Sequence, residues 1–361
     1  MSFQHTLEGL FNKGKAKLDE LTNNRPQQQP QYQPHYQQYQ PPYQPQYQSQ
    51  YPGYQPQYPP QNQPQYQPPQ YQPQYGGQAP PIPTSSKPQR TPSPYINTST
   101  RPSTTAAPYW QAAFYPQTPV SALFQQETGS HGWGNNESQN YTTDPRNCFF
   151  TPDNKLVLRG IVDPSPENKY TSARLISHQK LDRQRGCLSA TLTPPCATGI
   201  WPAFWLLPSQ PFTWPNDGEI DIFESWNGDC VNHSCLHWGH YNGEDWNKHR
   251  VVETPIPDMG QRPHVFELAW DQPEDGVGGK LVWYIDGRAV MKASIPAGTR
   301  RIGDWKVILN VAMGGNVCGG RLPEVGTYDF VVHELKMSAE PTGGWRRFAE
   351  DWERTREGKT L

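Results

Sequence analysis

Residues 216–226 read NDGEIDIFESW, in which, after Asp217, the three carboxylates of Glu219, Asp221 and Glu224 are threaded among apolar residues that read as β-strand. Side chains along a strand alternate faces with a period of two. Glu219 and Asp221 therefore share a face, whereas Glu224, five positions after Glu219, falls on the other. A solvated edge strand or a calcium site would account for the acids alone. The intervening Ile220, Ile222 and Phe223, however, require burial on the opposite face, in surroundings rich in tryptophan. A β-bulge at Ile222-Phe223 removes the conflict, because one extra residue rotates the strand and returns Glu224 to the face of the other two acids. Four effective strand steps would still leave the glutamate Cα atoms ~13 Å apart. Concave curvature and side-chain reach must then bring the carboxyl groups together.

Three carboxylates held close cannot all ionise cheaply, and repulsion raises the pKa of at least one. That asymmetry is the division of labour needed to cleave a glycosidic bond, one carboxylate attacking the anomeric carbon and one carboxylic acid protonating the departing oxygen. Retention of configuration requires the two carboxyl groups about 5–5.5 Å apart. Asp221, between the glutamates, can hydrogen-bond the nucleophile and tune both.

The surrounding sequence predicts an all-β domain. KLVLRG, TSARLIS, GCLSATLT, IWPAFWLLP, EIDIFES, HVFELAW, KLVWYIDG, KVILNVAM and TYDFVVHELKM are short strand-like runs separated by Gly, Pro and Asn turns. Long helical periodicity is absent between them, so an antiparallel β-sandwich follows for residues 109–338. Asp286-Gly287 marks a hairpin. In residues 339–361, Trp345, Phe348 and Trp352 at i, i+3 and i+7 predict a short C-terminal helix that docks on the sandwich.

The N-terminal third is a different polymer. Residues 25–108 are Gln/Pro/Tyr-rich and then Ser/Thr/Pro-rich, with too few aliphatic side chains to offset the entropy of ordering, which predicts a disordered linker. Residues 1–24 space Phe3, Leu7, Leu10, Phe11, Leu18 and Leu21 as an amphipathic helix suited to a partner or a membrane surface. They carry no apolar run of signal-peptide type, which points to a cytoplasmic or unconventionally secreted protein, with an extracellular or cell-wall setting as the alternative. No stretch has the roughly 20 apolar residues of a transmembrane helix. A net charge of −2 and no basic stripe argue against nucleic acid as the main partner. Without a secretory signal, the six cysteines are expected as free thiols, although Cys230 and Cys235 would close a short loop if paired. Sequons at Asn97, Asn136, Asn140 and Asn232 matter only if the chain enters the secretory route.

With GIWPAFWLLP (199–208) upstream, LHWG (236–239) downstream and LNVAMGGN (309–316) near the end, GEIDIFE (218–224) resembles glycoside hydrolase family 16. It is similar in particular to the laminarinase-like, endo-β-1,3(4)-glucanase branch with a bulged Glu-x-Asp-x-x-Glu strand. The similarity runs from about WGNNESQNYT (133–142) to about Met337. The resemblance implies a concanavalin A-like β-jelly-roll sandwich with a sugar cleft across its concave sheet. It assigns Glu219 as nucleophile, Asp221 as assisting acid and Glu224 as acid/base. It places His237 and Arg174 in the cleft, Trp214 at a sugar subsite, and Asn135, Asn136 and Asn310 as polar sugar contacts. Trp201 and Trp205, four apart on one strand face with Phe204 and Leu206 opposite, are further candidates for stacking against sugar rings. Ser138 and Asn140 replace an apolar and an aromatic residue of the family pattern, and Val317-Cys318 replaces an aromatic after GGN. Those changes bear on the preferred polymer.

The implied activity is a retaining, endo-acting hydrolase of β-glucan, cutting β-1,3 or mixed β-1,3/1,4 linkages without a cofactor. A structural calcium is compatible with the family, but no ligand spacing marks one. The alternatives are a transglycosylase on the same glucans, or a non-catalytic lectin-like glucan-binding protein, which would need neither glutamate.

Overall fold

The computed structural model describes residues 107–360 except 166, 241–244 and 246. The expected N-terminal helix, and the linker up to residue 106, lie outside the described residues. Among those described, the strands are β1 (Trp110–Gln111), β2 (Phe124–Glu127), β3 (Asn140–Tyr141), β4 (Cys148–Phe150), β5 (Leu156–Val162), β6 (Tyr170–Ser172), β7 (Arg174–Lys180), β8 (Arg185–Thr193), β9 (Ile200–Pro208), β10 (Glu219–Glu224), β11 (Val231–His237), β12 (His249–Pro255), β13 (His264–Asp271), β14 (Lys280–Ile285), β15 (Arg288–Ser294), β16 (Trp305–Met313) and β17 (Gly326–Ser338). They form two sheets. A ten-stranded sheet runs β15-β14-β13-β8-β17-β5-β6-β3, with β1 beside β17 and β4 beside β5; a seven-stranded sheet runs β12-β11-β10-β9-β16-β7-β2. Strand pairing is antiparallel except between β3 and β6.

Alternation along the strands explains the core. Phe204 and Leu206 of β9, Val307, Leu309 and Val311 of β16, Phe266, Leu268 and Trp270 of β13, and Leu281 and Trp283 of β14 all point between the sheets. In β17 the inward set is Phe330 and Val332, then Leu335 and Met337, and the odd step coincides with a register shift against β8 between Val332 and Glu334. A bulge changes parity there as well. Phe223 of β10 joins the sheets, its ring centroid 4.8 Å from that of Phe266 and 5.8 Å from that of Phe330.

Two sequence expectations needed correction. TSARLIS is two strands rather than one: the chain breaks at the buried Ala173, leaving β6 in the larger sheet and β7 in the smaller. The β3–β6 pair departs from a purely antiparallel sandwich. The expected short C-terminal helix is α1 (Gly344–Arg354), after which the chain is extended and bridges Val251 through Lys359 and Lys292 through Glu357. Asp286 and Gly287, with φ of 49° and 73°, do turn the β14–β15 hairpin. Helix α1 buries Phe348, flanked by Trp345 and Trp352, against Cys187, Ala269, Val282 and Tyr284. Those side chains alternate with the core set, so the helix covers the outer face of the larger sheet. Burial of Phe348 contributes on the order of 2–3 kcal/mol. None of the helices among the described residues is long and apolar enough to cross a membrane.

Candidate active site

Strand β10 carries the bulge that the acidic motif requires. Asp221 is opposite Trp205 of β9 and Glu224 is opposite Ala203, but between them Phe223 is opposite Phe204, so Ile222 and Phe223 together match a single step of β9. Ile220, Ile222 and Phe223 are all in the core. Asp221 and Glu224 therefore lie on the face of Trp201 and Trp205, with Glu219 two residues before Asp221. On the other side, β11 sets His237 opposite Glu219 and Cys235 opposite Asp221. Gly218, which precedes Glu219, has φ of 100°, and a Cβ there would lie 2.8 Å from the Trp305 ring. Only glycine fits that entry.

Each glutamate is held by an indole. Trp214 Nε1–H donates to Glu219 Oε2 at 2.9 Å, and Trp201 Nε1–H donates to Glu224 Oε1 at 2.9 Å. His237 Nε2 is 3.4 Å from Asp221 Oδ2, close enough for an ion pair but short of hydrogen-bond geometry. The electrostatics separate the two glutamates. Burial, then the charge of Asp221, pushes Glu219 up to about 7. Burial, then the charges of both Asp221 and Glu219, pushes Glu224 well above the usual carboxylate range. For His237, burial opposes protonation, but the Asp221 and Glu219 carboxylates outweigh it and raise its pKa.

A second polar group adjoins the first. The Arg174 guanidinium lies 4.8 Å from the ring centres of both Trp133 and Trp205, and its Nε pairs with Glu127 at 2.5 Å. Burial works against the arginine's charge, but Glu127, Tyr141 and Glu137 together hold it. Trp205 Nε1–H donates to Asn310 Oδ1 at 2.7 Å, and Asn310 Nδ2–H donates to the Tyr141 hydroxyl at 3.2 Å. Tyr141 in turn donates to Glu137 at 3.4 Å, and Gln139 Nε2–H donates to the same Glu137 oxygen at 2.6 Å. Burial pushes Glu137 up to about 7 despite these donors.

Of the residues singled out from sequence, Glu219, Asp221, Glu224, Trp201, Trp205, Trp214 and His237 converge on this face, and Arg174 and Asn310 adjoin them through Trp205. Asn135 and Asn136 sit on the neighbouring loop, where Asn135 lies beside Glu137 and Asn136 Nδ2–H donates to Asn316 at 3.0 Å. Sequence reasoning missed the supports. Asn232 of β11 accepts from Glu224 N–H at 3.2 Å and donates to the Ile222 carbonyl at 3.4 Å, so it spans the bulge. Trp283 Nε1–H reaches from the larger sheet to the Asp221 carbonyl at 2.9 Å. The NHS sequon could have drawn attention to Asn232, but only as a glycosylation motif; the side chain is wholly buried. The one mixed donor cluster suited to a metal among the described residues is Asp221, Cys235 and His237.

Residues 136–255 match the family model described as XgeA-like, catalytic GH16 domain. A beta-glucanase of Rhodothermus marinus is 28% identical over 236 residues, covering 61% of this chain and 80% of the relative. A glucan endo-1,3-beta-glucosidase of Cryptopygus antarcticus is 30% identical over 214 residues, covering 54% of this chain and 76% of the relative. The chain spans 30% and 33% of the length of two longer relatives. Among solved structures, the laminarinase of Rhodothermus marinus superposes with a TM-score of 0.54 at 28% identity, covering 64% of this chain and 96% of that one.

Proposed function

The chain belongs to glycoside hydrolase family 16, and from that premise we propose that it is an endo-acting β-glucan hydrolase that cleaves internal β-1,3 or mixed β-1,3/1,4 linkages with retention of configuration. The observation that carries the reading is the bulge on β10, which gathers two glutamates and an aspartate on one face while an indole N–H orients each glutamate. Support for β-glucan as substrate comes from the relatives named as beta-glucanase, glucan endo-1,3-beta-glucosidase and laminarinase.

In the first displacement, a Glu219 carboxylate oxygen bonds to the anomeric carbon as the Glu224 proton passes to the departing glycosidic oxygen. In the second, the Glu224 carboxylate takes a proton from water, whose oxygen displaces Glu219 and restores the starting configuration. The order of the two pKa values supports these roles, since the group raised further is the one that must arrive protonated. Asp221 is the charge that lifts both, and His237 balances Asp221. Arg174 and the tryptophans supply a charged and aromatic floor for sugar rings. A sugar hydroxyl in place of water would make the same site a transglycosylase.

The test is reducing-end release from laminarin and lichenan by the purified chain. Glu219→Gln should abolish turnover, and Glu224→Gln should lower it by about 10²–10⁴-fold. Azide should rescue Glu219→Ala by forming an α-glucosyl azide and Glu224→Ala by forming the β-anomer, because it replaces the nucleophile in one and the activated water in the other. Full activity in Glu219→Gln would overturn the mechanism. Glucan binding without turnover of either polymer would favour the lectin-like alternative.

A further inference from the structure

Cys235 stands on the site face without a task in the hydrolytic reading. It is directly across from Asp221 in the β10–β11 register and two residues before His237 on the same strand, so all three side chains share one face. One donor atom from each lies within 4.8 Å of the other two. Asp221 and Cys235 are buried, whereas 29% of the His237 side chain is exposed and opens the cluster to the surface. Asp221 Oδ2 is a second pointer, because it is buried with no well-aligned hydrogen bond and has only the His237 Nε2 ion-pair contact, at 3.4 Å. A buried carboxylate oxygen in that condition is destabilising, and a cation compensates it directly. Burial and the surrounding Asp221, Glu224 and Glu219 carboxyl groups push the Cys235 thiol well up, so its proton leaves only in exchange for a bound cation.

We propose that Asp221, Cys235 and His237 form a reversible inhibitory site for a divalent cation of the zinc class. One sulfur, one imidazole nitrogen and one carboxylate oxygen make a borderline-soft donor set that selects zinc over calcium or magnesium, which take oxygen ligands. On binding, the Cys235 S–H bond breaks, its proton leaves to solvent and the thiolate bonds the metal. His237 releases to solvent the proton its ligating nitrogen carries and gives that nitrogen's lone pair, Asp221 gives Oδ2, and water completes the tetrahedron. Zinc–ligand bonds of about 2.0–2.3 Å require the donors to draw together by on the order of 1 Å. Bound there, the cation takes Asp221 and His237 away from Glu219 and competes with glucan. The inhibition rests on the catalytic reading above; the binding does not.

The experiment uses the full chain, reduced and metal-free, titrated with Co²⁺ and then Zn²⁺. One equivalent of Co²⁺ should give a thiolate-to-cobalt charge-transfer band that Zn²⁺ removes, and Zn²⁺ should suppress reducing-end release until a chelator restores it. Cys235→Ser should keep its zinc-free turnover, lose the band and bind zinc at least roughly tenfold more weakly, the lower end of the loss seen even for outer-shell changes. Cys196 and Cys230, whose thiols donate to the Pro194 and Gly228 carbonyls, are neighbours and are the other thiol pair able to hold cobalt. The double variant Cys196→Ser/Cys230→Ser should therefore leave the band unchanged. X-ray absorption on the zinc-loaded, unsubstituted chain needs no variant to fold and should show one sulfur at about 2.3 Å. No band, a band lost only in the double variant, zinc inhibition equal in Cys235→Ser, or a sulfur-free zinc shell would each overturn the proposal. Turnover without a cobalt band would sink the cation site alone, and a band without turnover would sink the catalytic reading alone.

Discussion

Glu219 and Glu224 carry the same functional group, and their neighbours set them apart. Both are lifted first by burial, but Glu219 then feels Asp221, whereas Glu224 feels Asp221 and Glu219 together. In the proposed cycle Glu219 must start ionised and Glu224 protonated. Turnover should therefore rise with pH as Glu219 deprotonates at about 7 and fall again as Glu224 deprotonates at higher pH. Because the sites interact, the two limbs report on the pair. Asp221→Asn removes a charge that raises both, so both limbs of kcat/KM against pH should move to lower pH. A profile of reduced height with unmoved limbs would show that Asp221 does not tune the glutamates.

At the scale of the element, the bulge needs a brace, because an extra residue interrupts the ladder hydrogen bonds. Asn232 supplies it, accepting from Glu224 N–H and donating to the Ile222 carbonyl and to Ser234 Oγ. Asn232→Ala leaves two buried backbone groups without that partner and should cost about 1–3 kcal/mol of stability. The melting temperature should fall, and kcat should fall more than KM rises, since Glu224 loses its position while the sugar-binding tryptophans keep theirs. Wild-type kcat in this variant would remove Asn232 from any positioning role. The parity of EIDIFE makes the bulge legible in the amino-acid order alone, because three acids and three apolar residues in that order cannot be placed otherwise on a two-faced strand. Its brace is not legible there, because it comes from the next strand of the sheet.

At the scale of the whole molecule, the sandwich is tied together behind the site. Phe223 packs on Phe266 and Phe330, and Trp283 reaches from the larger sheet to the Asp221 carbonyl. Among the described residues the chain is tied to the sandwich from Tyr109 on, whose N–H donates to the Met337 carbonyl and whose hydroxyl donates to the Leu181 carbonyl at 2.6 Å. A chain lacking residues 1–106 should therefore keep its melting temperature and its turnover of soluble glucan, whatever the tail does for location or partners. Loss of turnover in that deletion, measured against the full chain, would make the N-terminal segment part of the catalytic unit.

The amino-acid order by itself determined the β class, the shared face of the three acids, that of Trp201 with Trp205, and the docking stripe of Trp345, Phe348 and Trp352. All of these follow from a local period of two or of 3.6 residues. Local period could not show that TSARLIS divides between two sheets, because leaving one sheet for the other depends on the partners on each side. Nor could it show that Cys230 meets Cys196 rather than the nearby Cys235, which β11 carries away along an extended strand to stand opposite Asp221. Only the tertiary structure decided which glutamate is the stronger acid, since burial and the distance to other charges arise from residues far apart in the chain.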